Sequence, residues 1–415
     1  MNENKGLSQK SQKILIFLSW LMYTSAYLGR YSYSSNINPI ITDFGLDGQR
    51  ALAGMVTTFF FISYGAGQVV NGLLCKRYNK KYVLSAAMII SAVLNIIFFV
   101  GVDFALVKYM WFLNGAVQSV LWSSLILALS ESLDSKNLKK AILIMSTTVA
   151  IGTFISYGGS ALFVHIGNYR YSFLLGGSVM AIVGITWFIV YGSIAKERAS
   201  VCVKQAENEV KVDKVKPGNA GGGVIAVMVI LAFFAVVNNL VKDGLNTWVP
   251  VILKDNYGLD DSISILLTLV LPILGVFGAT FAMFMSRKIK SYVSMCGVAF
   301  AGAAVFALAV VLLFKTPYWL PILLCFGIVV FAMHSINNII TSMAPLFLRD
   351  KVNSGMVAGV LDGFCYVGSA ISSYGLGVIA DNYGWSPVFY LFLVAIGVSV
   401  LVSVVYKIAA RNSEI

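Results

Sequence analysis

The sequence predicts an all-α integral membrane protein of twelve transmembrane helices, arranged as two pseudo-symmetric six-helix bundles. Three observations point there. The 415 residues are 58% hydrophobic and only 12% charged, with a mean hydropathy of +0.83, where a soluble domain is about a quarter charged. Apolar runs long enough to cross a bilayer recur along the whole chain. The chain also resembles itself at an offset of about 212 residues.

Span one, 14–40, holds an arginine deep in its apolar run: Arg30 sits within "YTSAYLGRYSYSSNINPI", with no acid after it until Asp43. Tyr23, Tyr27, Arg30 and Ser34 follow at spacings of four, three and four, which puts them on one helical face. Span two, 51–74, places Tyr64 and Gln68 together in the same way. Span three covers 82–102. Span four, 108–131, aligns Asn114, Gln118 and Trp122. Spans five and six cover 140–165 and 171–194.

The polar stretch "AKERASVCVKQAENEVKVDKVKPGNAGGG" then reads as a solvated tether. It divides the chain into an N-terminal bundle (1–194), a linker (195–222) and a C-terminal bundle (223–415). Span seven, 223–252, aligns Asn238, Lys242 and Asn246. Spans eight and nine cover 262–286 and 291–314. Span ten, 318–346, offers His334, Asn337, Asn338 and Thr341. Span eleven, 353–379, carries Asp362 and Tyr366, and span twelve covers 386–408.

The repeat rests on three coincidences. Asn168-Tyr169 closes span five as Asn382-Tyr383 closes span eleven, each followed two residues later by an aromatic and then a serine. Basic clusters follow spans two (Lys76, Arg77) and eight (Arg287, Lys288). Arg30 of span one is matched by Lys242 of span seven.

A net charge of +12 invites a nucleic-acid reading, but its placement excludes one. Lysines and arginines crowd the connections on the side of the termini, and only Arg50, Lys108, Arg170, Lys254 and Lys315 lie opposite. By the positive-inside rule both termini are expected in the cytoplasm of a cell-membrane protein. The five cysteines and two histidines show no metal-ligand spacing. With no P-loop, Gly-x-Ser-x-Gly elbow or dinucleotide fingerprint in context, neither a catalytic residue, an enzyme activity, a metal nor a cofactor is expected.

Arg30 and Lys242 each lie four residues past the middle of their spans, so the two cations share a depth. Burying either at mid-bilayer costs about 2.5–3.5 kcal/mol on insertion scales. That is tolerable beside a wet cavity, and two cations facing one cavity suit an anion, best a doubly charged one. A purely structural role stays open, with Asp362 or Asp243 as partner. Asp362 reads either as a partner of Lys242 released by cargo or as a proton-carrying carboxylate. His334 is a proton-relay candidate or a helix packer.

"YLGRYSYSSNINPI", "YGAGQVVNGLLCKR", "LNGAVQSVLWSS" and "VKDGLNTWVPVIL" resemble the organophosphate:phosphate antiporters of the major facilitator superfamily. Those include the glycerol-3-phosphate and hexose-6-phosphate transporters. Such proteins bind cargo at the midplane between six-span halves. The resemblance implies a secondary carrier of a small phosphorylated anion, working as a monomer, in exchange for phosphate or together with protons. It assigns phosphate binding to Arg30, preceded by Tyr23 and Tyr27, and to Lys242, which stands for a second arginine and lacks its bidentate fork. Tyr64, Trp122 and Tyr366 fall on cavity positions, and Gln68, Asn246 and Asn338 complete the expected lining. The departures are Gln68 for a lysine, Val149 for a histidine, Pro272 for a glutamate, and Lys76 and Arg287 in the loop acid's place. They leave room for two alternatives: a membrane-embedded sensor of the same anions, or a proton-coupled carboxylate or sugar carrier using Asp362.

Overall fold

The structure, a computed structural model, describes residues 7–205, 222–347 and 354–412. These residues form helices α1 (Gln9–Ser35), α2 (Ile37–Asp43), α3 (Arg50–Leu74), α4 (Lys80–Val100), α5 (Phe104–Gln118) and α6 (Leu121–Ser132). There follow α7 (Ser135–Met145), α8 (Thr148–His165), α9 (Tyr171–Gln205), α10 (Gly222–Tyr257), α11 (Asp261–Thr268) and α12 (Val270–Ser286). The last are α13 (Tyr292–Leu313), α14 (Trp319–Asn338), α15 (Ala344–Phe347), α16 (Ser354–Tyr383) and α17 (Ser386–Asn412).

Twelve crossings result, with spans four, five and eight each built from two helices in tandem: α5 and α6, α7 and α8, α11 and α12. A π-turn at Ile339–Met343 extends α14. Eleven crossings among the described residues are long and apolar enough to be recognised as membrane spans by composition. The remaining one is α1, where tyrosines, serines and Arg30 dilute the apolar run. The residues that hide this helix from a hydropathy test are those that suit it to face a polar interior.

Local chemistry sets the helix starts. Asn79, Asp103 and Ser291 cap α4, α5 and α13 by accepting backbone N–H bonds from Lys81, Ala105 and Ser294. Helix α9 runs to Gln205, eleven residues into the stretch expected as linker. "AKERASVCVKQ" contains no glycine or proline, whereas Pro217 and Gly218 follow only later. The rest of the tether, 206–221, and 348–353 before span eleven lie outside the described residues.

Each half has its own apolar core. Leu15, Met22, Leu84, Leu125 and Trp187 belong to the N-terminal one, and Phe234, Phe300, Phe326 and Phe389 to the C-terminal one. Exposed Ile182, Ile189, Val305, Leu312, Val394 and Leu401 form the outer, lipid-compatible surface. The halves meet along two seams, α3 against α16 and α8 against α11. Among the described residues, every hydrogen bond and ion pair between the halves lies from the midplane toward the face opposite the basic connections, the far face. There Arg50 bonds Asp255 and Asp381, Thr58 bonds the Ala370 carbonyl and Ser262 bonds that of Ala161. The halves are thus fastened together on the far face.

Candidate anion site

Arg30 is 6% exposed, and among the described residues no acid lies within ion-pair distance of it. Its guanidinium carbon sits 4.3 Å from the centroid of the Tyr64 ring, 4.6 Å from Tyr27 and 5.0 Å from Phe60. Desolvated cation–π contacts reach about 2 kcal/mol each, so this cage offsets part of the burial cost without supplying a negative charge. Arg30 Nε donates to Gln118 Oε1 at 3.3 Å, and Gln118 Nε2 donates on to Asn114 Oδ1 at 3.0 Å. Among the described residues Arg30 Nη2 has no partner. The side chain is therefore oriented through Nε by neutral amides, and its terminal nitrogen remains available to an acceptor.

The surrounding groups come from four crossings. Tyr23 OH lies 3.4 Å from Tyr64 OH, Gln68 Nε2 donates to Tyr64 OH at 3.0 Å, and Ser123 bonds Gln68 Oε1 at 3.4 Å. The Trp122 ring lies 4.8 Å from that of Tyr23. From the other half, Tyr366 brings its ring to 4.7 Å from Tyr64. It approaches over Gly65, where an added Cβ would lie 2.7 Å from Tyr366 Cβ.

The second cation is different. Lys242 Nζ lies 3.6 Å from Asp243 Oδ1, so Lys242 is paired with its neighbour in the chain and not with Asp362. Asp243 is anchored in turn by Ser369 at 2.5 Å and Asn239 at 3.3 Å, which fastens α10 to α16. The expected pair of unneutralised cations is thus corrected to one free guanidinium and one compensated ammonium. Among the described residues Asp362 makes no ion pair, but it lies within coulombic reach of both Lys242 and Arg30.

The remaining expected residues are placed as follows. Asn246 lies one turn beyond Lys242, and its backbone carbonyl accepts a bond from Tyr157 of the other half at 2.8 Å. His334 packs on Gly275 of α12, where an added Cβ would lie 2.5 Å from the imidazole; this is the contact of a helix packer. No hydrogen bond or ring contact joins His334 or Asn338 to the Arg30 cluster. Phe60 escaped sequence reasoning although it precedes Tyr64 by one turn, because an apolar ring gives no polar signal.

With this geometry in hand, relatives can be weighed. The family model described as Major Facilitator Superfamily matches residues 19–354. The chain belongs to the Major Facilitator Superfamily. Within it, the membrane sensor protein UhpC of Escherichia coli (strain K12) is 22% identical over 93% of this chain and 90% of its own length. Sugar phosphate exchanger 3 of Bos taurus is 23% identical over 84% of this chain and 78% of its own. The "Probable hexose phosphate transport protein" of Chlamydia muridarum (strain MoPn / Nigg) is 22% identical over 98% and 92%. These relatives fit the organophosphate:phosphate antiporter resemblance. Two solved structures share the fold. A bacterial homologue of the human lysosomal transporter Spinster, in an inward-facing and occupied conformation, superposes with a TM-score of 0.72 at 16% identity, covering 98% of both chains. A D-xylose–proton symporter does so with 0.69 at 14% identity, covering 94% of this chain and 95% of its own.

Proposed function

We propose that the chain is a secondary carrier of a small organic anion, a phosphorylated metabolite, working by alternating access between two six-helix halves. The observation that carries this reading is Arg30: a buried cation without an acid, oriented by Gln118 and caged by aromatic rings, with Nη2 unpartnered. An anionic oxygen meeting that nitrogen away from bulk water gains a charge-assisted hydrogen bond. The relatives named for sugar phosphates and hexose phosphate support the cargo class. Lys242 joins the cargo by leaving Asp243, which Ser369 and Asn239 keep hydrogen-bonded. Asp362, facing both cations, is the group placed to balance charge, with a proton in symport or unaided in exchange for phosphate. The cargo crosses chemically unchanged.

In this reading the basic connections and both termini face the cytoplasm of a cell membrane, the far-face seal closes the outer side, and one chain suffices as a monomer. The test is uptake of labelled glucose 6-phosphate into phosphate-loaded proteoliposomes. Counterflow that is abolished by Arg30→Gln supports the carrier; its absence despite binding supports the second reading, a membrane-embedded sensor, which the kinship to a protein named as one favours. Uptake of unphosphorylated sugar or carboxylate that survives Arg30→Gln would transfer the role to Asp362.

A further inference from the structure

Helix α10 contains Pro250 in its interior, and proline has no N–H to donate to the carbonyl four residues earlier. That carbonyl belongs to Asn246. Its acceptor is taken up from outside the helix: Tyr157 of α8, in the opposite half, donates its hydroxyl to Asn246 O at 2.8 Å. One turn further, Asn38 Nδ2 at the start of α2 donates to the carbonyl of Pro250 itself at 2.9 Å. Tyr157 and Asn38 are each only 2% exposed, and the Tyr157 ring packs among Ala161, Ile265 and Leu269 in the α8–α11 seam. Both donors come from the N-terminal half and both acceptors are backbone atoms of one helix in the C-terminal half.

We infer that Pro250 and Tyr157 form a latch of the far-face gate: the proline orphans the Asn246 carbonyl, and the tyrosine closes the gate by occupying it. A carbonyl already bonded within its helix can accept a second donor, as Ala370 does from Thr58, but an acceptor with no intrahelical N–H of its own is rare there. A proline creates one at a chosen height. Here that height is one turn from Lys242, on the same face of α10. When the halves separate on the far face, Tyr157 leaves and water entering the opened vestibule solvates the carbonyl; while they are closed and dry, Tyr157 satisfies it. The side chain at 157 is therefore matched to the missing N–H at 250, and the two positions are energetically coupled although 93 residues apart. The inference needs only that the halves move, so it stands or falls separately from the identity of the cargo.

The experiment is a distance measurement between the far-face ends of the two halves. Spin labels go at Asp47→Cys and Asp260→Cys, both exposed, in the full chain with its native cysteines replaced by serine. Double electron–electron resonance then reports the open-to-closed ratio without any transport assay. Tyr157→Phe, which keeps the ring, should raise that ratio about five-fold, the size of one net hydrogen bond. In a Pro250→Ala background, where residue 250 regains its N–H, the same Tyr157→Phe change should move the ratio less than about two-fold. An unchanged ratio for Tyr157→Phe alone overturns the latch, and that arm stands even if Pro250→Ala does not fold. Equal shifts in both backgrounds overturn the role of the proline.

Discussion

The ammonium of Lys242 lies 3.6 Å from the carboxylate of Asp243, while Arg30, its counterpart in the first half, has no acidic partner among the described residues. The two repeats therefore present unequal charges: a cation without an acid among the described residues on one side and an acid-paired one on the other. Asp243→Asn removes the competing acid while keeping an oxygen for Ser369. Phosphomonoester binding should tighten several-fold and become more sensitive to salt, measured by titration calorimetry at two ionic strengths. Weaker binding would mean that Asp243 organises the site and does not restrain Lys242.

Gln118 should matter through Arg30 and not through the cargo directly. Gln118→Leu leaves Arg30 Nε and Asn114 Oδ1 without their partner and should weaken phosphomonoester binding about ten-fold, the scale of one lost buried hydrogen bond. Gln118→Glu is the sharper variant, because a carboxylate there pairs with Arg30. Binding should fall at least as far while thermal stability is held. If Gln118→Glu binds normally, the guanidinium is not oriented by this amide.

The far-face seal rests on Arg50 and Asp381. Arg50 reaches Asp255 at 2.7 Å and Asp381 at 3.3 Å. Asp381 also accepts the backbone N–H groups of Arg50 at 2.9 Å and Ala51 at 2.8 Å, capping α3 from the other half. Partly exposed ion pairs contribute up to about 1 kcal/mol, and a helix cap adds about 1 kcal/mol more. Arg50→Ala loses both ion pairs and Asp381→Ala one pair and the cap, so the two variants should open the far face to a similar extent, read by thiol labelling of a cysteine placed in the seam. A much smaller effect of Asp381→Ala would assign the contribution to the Arg50–Asp255 pair.

Gly377 is one of the points where α16 lies directly on the α3 backbone: a Cβ there would lie 2.8 Å from Ala51 Cα and backbone N. Backbone atoms cannot step aside as a flexible side chain can. Gly377→Val should keep the far face from closing and stop transport with binding preserved, checked by counterflow alongside ligand affinity.

At the rim of the N-terminal half, Arg170 at 2.8 Å and Tyr169 at 2.7 Å hydrogen-bond Asp43. Donation from Arg170 first and Tyr169 second holds the Asp43 carboxyl below the usual carboxylate range. A depressed folded-state pKa contributes stability above the unfolded value, about 3.9, and loses it as pH falls through the folded one. The small melting-temperature difference between wild type and Asp43→Asn should thus be present at pH 6 and fade as the pH falls through the depressed folded-state value. A difference that persists in acid would mean that the contact does not depend on charge.

How much of this was legible in the residues follows from what each signal encodes. The crossings were readable because apolar runs record the bilayer directly, and Tyr23, Tyr27 and Arg30 were readable because a polar stripe at helical spacing stands out against lipid-facing neighbours. The partner of Lys242 was not, since Asp243 and Asp362 are equally available on paper and only the packing of α10 on α16 decides. Gln118 was visible as polar, but its bond to Arg30 depends on how span four is turned. Tyr157 and Pro250 carried no periodic signal; each looked like an ordinary residue of its helix until the other half was placed against it. Helix α9 runs on into the stretch expected as linker because the first eleven residues of that stretch carry no glycine or proline and helix propensity holds past the polar boundary.

The most direct measurement is equilibrium binding of glucose 6-phosphate and of glucose to purified wild type and Arg30→Gln. The expected result is binding of the phosphorylated sugar alone by wild type, weakened at least about ten-fold in Arg30→Gln by loss of a charge-assisted bond. Equal binding of both sugars, or phosphate-dependent binding untouched by Arg30→Gln, would contradict it.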